Sequence, residues 1–311
     1  MIRQVRTGGA PNTGPSAGLR HKRGHGVGVL FGVAAAVFWG LGDFFVTQLT
    51  RRVGTARALI SIQLLSLAAW VLFLLGQSPL PGVTPALWGI LIATGVCHVL
   101  GLVFVYRAFE IGTLSIVSPI SSAFAVVTAI LSLAIGERPP AFALGGATLL
   151  VIGVMLATRS APSPQGSGAI WRGIPEAIAS ALAFGAMFWL FYFFVQPKLG
   201  YALPLILLKT MAVGSSVLIF LSRRPSGADP QSALGPGVIL LALAAAAADT
   251  LAWLTYIWGT GSTYATVVTA LASLFSVVTV LLAWKFLRER LAIHQWAGVA
   301  LILIGILLVS L

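Results

Sequence analysis

Charge is what this sequence lacks. Only 8% of its residues are charged, and only seven of the 311 are acidic. A soluble domain carries about a quarter charged residues. Set against 58% hydrophobic residues and a mean hydropathy of +0.99, this scarcity excludes an ordinary soluble globule. It points to an integral membrane protein. Alternation of polar and apolar residues is missing too, which excludes a membrane β-barrel and leaves helices as the spanning element. With a single cysteine, Cys97, no intrachain disulfide can form. Metal clusters of Cys and His, HExxH, G-x-S-x-G and the P-loop lysine motif are all absent from the sequence. No catalytic residue, metal or cofactor is therefore expected, and transport, if that is the activity, is not driven by ATP on this chain. The drive would be a solute gradient, a proton gradient, or none.

Basic residues are the exception to the scarcity, giving a net charge of +12. They are dispersed over an N-terminal tail and many short loops. Anionic headgroups and the positive-inside bias explain that spread better than nucleic acid does. Residues 1–26, rich in Gly, Arg, Pro and Ser, are expected to form a disordered basic tail. The first apolar run is too long for a signal peptide and contains Asp43, so it is taken as a retained helix.

A span needs about 20 apolar residues. Ten fit, at roughly 27–49, 55–76, 84–106, 113–135, 139–158, 172–195, 201–221, 236–258, 263–286 and 292–311. The polar linker RSAPSPQGSGAIW, residues 159–171, divides the chain into halves at 27–158 and 172–311. The halves repeat. Aligning Glu137 with Glu289 also aligns Gly146 with Gly298 and Gly153 with Gly305. Gly40 matches Gly185, Gln63 matches Lys209, and Gly112 matches Gly261 at slightly smaller offsets. Five spans per half force opposite orientations, and an inverted repeat is characteristic of secondary transporters. The paired glycines serve close helix packing and mark the fold, not a site.

The Trp39-Gly40 pair, the passage YRAFEIGTLSIVSPI from Tyr106 to Ile120, and the two "GE/RE…G…G" signatures at Glu137 and Glu289 resemble the EamA-like family of the drug/metabolite transporter superfamily. The resemblance covers residues 27–311. It implies ten helices in two inverted five-helix repeats, a central cavity, alternating access, and small solutes such as amino acids, other metabolites or drugs. It also implies cytoplasmic termini. The tail arginines agree, whereas Arg51, Arg107, Arg172 and Arg288 would then lie outside. The bias to arginine over lysine and to alanine is compatible with a GC-rich bacterium, and so with a bacterial inner membrane. The chain departs from the family where Gln63 replaces a frequent arginine, where the loop 77–85 is uncharged, and where Arg288 precedes Glu289.

Three charges fall inside spans: Asp43, Lys209 and Asp249, each within ~8 Å of the bilayer midplane at about 1.5 Å rise per residue. Each costs about 2.5–3.5 kcal/mol on insertion scales. Together they cost on the order of 8–10 kcal/mol, as much as a whole domain's stability. A wet cavity or mutual pairing must offset that. Helical period puts Asp43 on a face with Trp39 and Gly40, Asp249 with Trp253 and Tyr256, and Lys209 with Ser216. Trp39, Asp43, Lys209, Asp249, Trp253 and Tyr256 are therefore the expected solute-binding residues. A solute carboxylate would meet Lys209, and an ammonium would meet Asp43, Asp249 or an aromatic face. Asp43, His98 and Asp249 are the candidates for a proton relay. The plainer alternative is a Lys209–Asp249 pair that only locks two helices, with His98 bonded across helices.

Other residues carry structural expectations. Tyr106, Arg107 and Glu110 are taken as a span-end anchor and ion pair, and Glu137 and Glu289 as loop caps or pairs. Trp88, Trp171, Trp284 and Trp296 are taken as interfacial belts, and Pro119 and Pro204 as kinks. The function expected is secondary export of a small amphipathic or zwitterionic metabolite, with protons as one candidate coupling ion and a monomer as a sufficient unit. The alternatives are a passive facilitator or flippase, or a non-transporting membrane sensor.

Overall fold

The structure is a computed structural model that describes residues 15–75, 82–133, 135–136, 171–222, 235–262 and 274–310, with single positions between 142 and 156 and between 268 and 272. Every regular element described is helical. In lipid this follows from the backbone: each N–H and C=O must be satisfied within its own segment. The helices are α1 Pro15–Val53, α2 Thr55–Leu75, α3 Pro85–Ile111, α4 Leu114–Ser121, α5 Phe124–Leu133, α6 Ile174–Leu190, α7 Ala202–Ser222, α8 Pro236–Ser262, α9 Phe275–Leu282 and α10 Ile293–Ser310. π-helical turns follow α6 at Phe191–Val195 and α9 at Ala283–Leu287. Seven stretches are long and apolar enough to cross a membrane, and Phe275–Leu287 and Ile293–Gly305 are shorter apolar helices. The expected fifth span, 139–158, falls mostly outside the described residues, as does Glu137.

Two expectations change, and that for Pro119 holds. Helix α1 starts at Pro15, so residues 15–26 extend a helix where a disordered tail was expected. Proline suits a first helical position, because its missing N–H would be unpaired there anyway. Pro204 sits in the first turn of α7 and breaks no hydrogen bond, so it is not a mid-span kink. Pro119 lies inside α4, which ends two residues later; a short turn at Ser122 and Ala123 separates it from α5.

The packing partners are reciprocal. Helix α1 packs on α8 and α9, and α6 packs on α3 and α5, while α2 packs on α7. The first helix of each half thus lies against the third and fourth of the other. Glycines permit the tightest of these approaches. A Cβ on Gly40 would lie 2.5 Å from Val278 Cβ and 2.7 Å from the Phe275 carbonyl oxygen. A Cβ on Gly185 would lie 2.4 Å from Val127 Cβ and 3.0 Å from the Phe124 carbonyl oxygen. The two glycines paired in the sequence repeat make the same contact in opposite directions.

One end of the bundle is tied by Glu289. Its carboxylate accepts from the Leu114 N–H at 3.1 Å, the Ser115 N–H at 2.8 Å and the Ser115 hydroxyl at 2.7 Å. A carboxylate at a helix N-terminus meets unpaired amides and the positive end of the dipole. Arg51 donates to Glu289 at 3.3 Å, to the Phe109 carbonyl at 3.2 Å and to the Gly112 carbonyl at 2.8 Å. Nearby, Arg107 pairs with Glu110 at 3.0 Å, and Glu110 also accepts from the Thr55 hydroxyl at 2.5 Å. Trp88, Trp171 and Trp284 are exposed on the outer surface.

Candidate functional site

Between the two halves lies a cavity of about 130 Å³. Its walls come from α1, α3, α4, α5, α6, α8 and α9, so both halves contribute. Trp39, Asp43, His98, Asp249 and Trp253 line it. Lys209 and Tyr256, expected in the same set, do not. Both are buried behind the wall, Tyr256 against Trp39 at 5.6 Å between ring centroids and Trp253 at 6.1 Å.

Asp43 is held by hydroxyls. Its Oδ2 accepts from Ser118 Oγ at 2.7 Å and from Thr279 Oγ1 at 3.1 Å. Ser118 belongs to α4 and Thr279 to α9, the fourth-span helices of the two halves. Among the described residues Asp43 has no ion-pair partner. Asp249 is different. Its Oδ2 accepts from Lys209 Nζ at 2.6 Å and from Ser66 Oγ at 3.0 Å. The Lys209 side chain is 1% exposed and that of Asp249 is 24% exposed. The ammonium is therefore spent on Asp249, and only the carboxylate end of the pair faces the cavity. The expectation that a solute carboxylate meets Lys209 has no geometric support, because Lys209 does not line the cavity and its side chain is 1% exposed.

Five aromatic rings close a circuit around the cavity. Trp39 meets Phe275 at 6.3 Å, Phe275 meets Phe124 at 6.4 Å, Phe124 meets Phe188 at 4.7 Å, Phe188 meets Trp253 at 6.0 Å, and Trp253 meets Trp39 at 5.6 Å. The three contacts from Phe275 through Trp253 lie within 27° of parallel, and Trp39 stands edge-on at 87° to Trp253. Edge-to-face and offset geometries are those preferred by ring quadrupoles. All five residues line the cavity.

Tyr106 also lines it, buried, with its hydroxyl accepting from Gln63 Nε2 at 3.4 Å. This corrects its expected place at an interface. Helix α3 runs on to Ile111, so Tyr106 lies more than a turn inside its end. His98 is 3% exposed, and neither ring nitrogen has a hydrogen-bond partner among the described residues. Among the described residues the alternative of a bond across helices finds no partner; the His98 ring leans on Phe184 at 6.1 Å.

Several residues of the cavity wall or bonded to Asp43 were not singled out as site residues from the sequence. Ser118 had a signal: four serines occur within residues 115–122, inside an apolar span. Phe188 had one as well, since it occupies the repeat position of Asp43. Thr279, Phe124 and Phe275 had none, because a threonine or phenylalanine in an apolar helix is ordinary. Among the described residues no group of three or more His, Cys, Asp or Glu could hold a metal ion.

No curated protein matches the sequence significantly. Among solved structures 24 chains match. One is a crystal structure with TM-score 0.55 and 15% identity, the match covering 90% of this chain and 95% of that one. At that identity the likeness shows the fold alone. The profile of the EamA-like transporter family matches residues 26–159 and again 176–311. Two copies of one family unit thus account for nearly the whole sequence, and this multi-pass membrane protein belongs to the EamA-like transporter family of the drug/metabolite transporter superfamily.

Proposed function

We propose that this chain is a secondary transporter that exports a small amphipathic metabolite, amino-acid-like solutes included, by alternating access. It has ten spanning helices in two inverted five-helix repeats, with both termini in the cytoplasm of a bacterial inner membrane. The observation that carries this reading is the cavity between the halves, with Asp43 and Asp249 on an aromatic wall. Intramembrane carboxylates facing a cavity are expensive unless they serve a solute or ion pathway. The reciprocal packing supports the mechanism: rocking one half against the other would open the cavity to either side. Asp43, His98 and Asp249 would carry protons if transport is proton-coupled. Trp39 and Trp253 would bind the solute directly, while Lys209 and Tyr256 would act from behind the wall by holding Asp249 and the indoles.

Counterflow in proteoliposomes tests it. A carrier shows trans-stimulation, a facilitator or flippase does not, and a sensor shows no flux. Asp43→Asn and Lys209→Ala should leave protein in the membrane and abolish flux. Undiminished flux in both variants would remove these residues from the site.

A further inference from the structure

The cavity has one sign of charge. Asp43 and Asp249 line it, and no Lys or Arg does among the described residues. The nearest cation, Lys209, is neutralised by its bond to Asp249 and is 1% exposed. Asp43 alone remains without a basic partner, held only by the Ser118 and Thr279 hydroxyls. A solute that adds one positive charge balances it. A zwitterion would bring a carboxylate into a cavity with no basic side chain facing it and two carboxylates already lining it, where like charges disfavour it.

The walls fit the same ligand. Trp39, Phe275, Phe124, Phe188 and Trp253 all line the cavity, two of them indoles, and indole is the ring that attracts cations best. Crowded methyl or methylene groups around a quaternary nitrogen suit such a wall better than a tightly hydrated ion does. His98 adds a polar end. It is 3% exposed, lines the cavity, and has both ring nitrogens unpartnered among the described residues. A buried polar group is normally satisfied. A solute hydroxyl or N–H would satisfy it.

From these three observations we infer that the solute is an organic monocation: an ammonium centre on a small apolar skeleton, with a hydrogen-bonding group at the other end and no carboxylate. This rests on the reading of the cavity as a transport site and narrows it. The Asp43 carboxylate supplies the counter-charge, the aromatic circuit holds the alkylated nitrogen, and His98 selects the polar end.

Isothermal titration of the purified full chain in nanodiscs tests the inference with four small probes built on one tetrahedral, methyl-crowded centre. Choline is a cation with a hydroxyl, tetramethylammonium a cation without one, 3,3-dimethylbutan-1-ol the neutral isostere of choline, and glycine betaine the zwitterion. Choline should bind tightest, and the neutral isostere and the zwitterion at least ~10-fold more weakly. Asp43→Asn should weaken choline about 100-fold. His98→Leu should erase the difference between choline and tetramethylammonium. Equal or tighter binding of betaine or of the neutral isostere overturns the inference, as does failure of both cations to bind. The probe series on the unmodified chain decides this even if a variant does not fold. Counterflow separates the two levels. Choline binding with the expected profile but no flux overturns the transport reading alone. Counterflow of a zwitterionic amino acid in protein that binds neither cation overturns the cation class alone.

Discussion

Breaking the Lys209–Asp249 pair from its two ends should have unequal consequences. Asp249→Asn leaves an ammonium that is 1% exposed, inside a helix bundle, with its 2.6 Å carboxylate partner gone. Removing one member of a buried pair costs about 3–5 kcal/mol, because the other charge stays uncompensated. We place this variant at the low end, about 3 kcal/mol, since cavity water can reach the position of Asp249 and soften the loss. Lys209→Met removes the charge from the drier end. The remaining carboxylate keeps the Ser66 hydroxyl at 3.0 Å and its 24% exposure, so about 1 kcal/mol is expected. The double variant Lys209→Met/Asp249→Leu replaces the pair with apolar groups and should also cost only about 1 kcal/mol, leaving an interaction of about 3 kcal/mol between the sites. Reversible unfolding of the purified chain in mixed micelles, followed by far-ultraviolet dichroism, measures all three. Two single losses of similar size that simply add in the double variant would refute the reasoning, because an ion pair isolated from water cannot behave additively.

Three further outcomes follow from the packing. Gly185→Ala places a Cβ 2.4 Å from Val127 Cβ, which cannot move without its backbone, so the yield of folded protein on size exclusion should collapse; Gly89→Ala, which meets nothing within 4 Å, should be silent. Glu289→Ala strands the Leu114 and Ser115 amides and should cost about 1–2 kcal/mol in the same unfolding assay, with Glu289→Gln recovering part of it. Arg107→Ala removes a pair whose side chains are 44% and 23% exposed, and its melting temperature should change by an amount equivalent to no more than about 1 kcal/mol.

The sequence discloses what depends on the period of a helix and hides what depends on how that helix is turned. Most spans are visible because lipid demands continuous apolar runs, and the repeat is visible because close backbone approach tolerates only glycine at Gly40 and Gly185. Lys209 shows the limit. Its face on α7 is readable, but whether that face meets the cavity or the neighbouring helix depends on the rotation of α7 against α2 and α8, which no local pattern encodes. Tyr106 shows another. Arg107 and Glu110 end the apolar run, yet α3 continues to Ile111, because both polar side chains find partners at its end. A hydropathy boundary marks where lipid stops, not where the helix does. His98 and the phenylalanines of the circuit carry no sequence signal of their own; only the meeting of helices from both halves gives them one.

Symmetry bears most directly on Asp43. In one half Thr128 donates to the Phe124 carbonyl at 3.0 Å and lies 3.0 Å from the Gly185 carbonyl. In the other, Thr279 stands 3.1 Å from the Phe275 carbonyl and 3.4 Å from the Gly40 carbonyl. The glycine-threonine seat is therefore built twice. Three residues beyond each glycine the halves diverge, to Asp43 in one and Phe188 in the other, and both side chains line the cavity. The half with Phe188 makes the same seat without any carboxylate, stacking the ring on Phe124 at 4.7 Å instead. The helix contact consequently does not require an acid at this position. An acid there still carries about 2.5–3.5 kcal/mol of insertion penalty, only part of which two hydroxyl bonds at about 1 kcal/mol each can offset. A residue that the fold can do without, and that weakens it, fits the proposed role of Asp43 as a solute contact. Because the opposite position is aromatic, a solute between the two would have a carboxylate on one side and an aromatic ring on the other, the pairing that the proposed cation calls for.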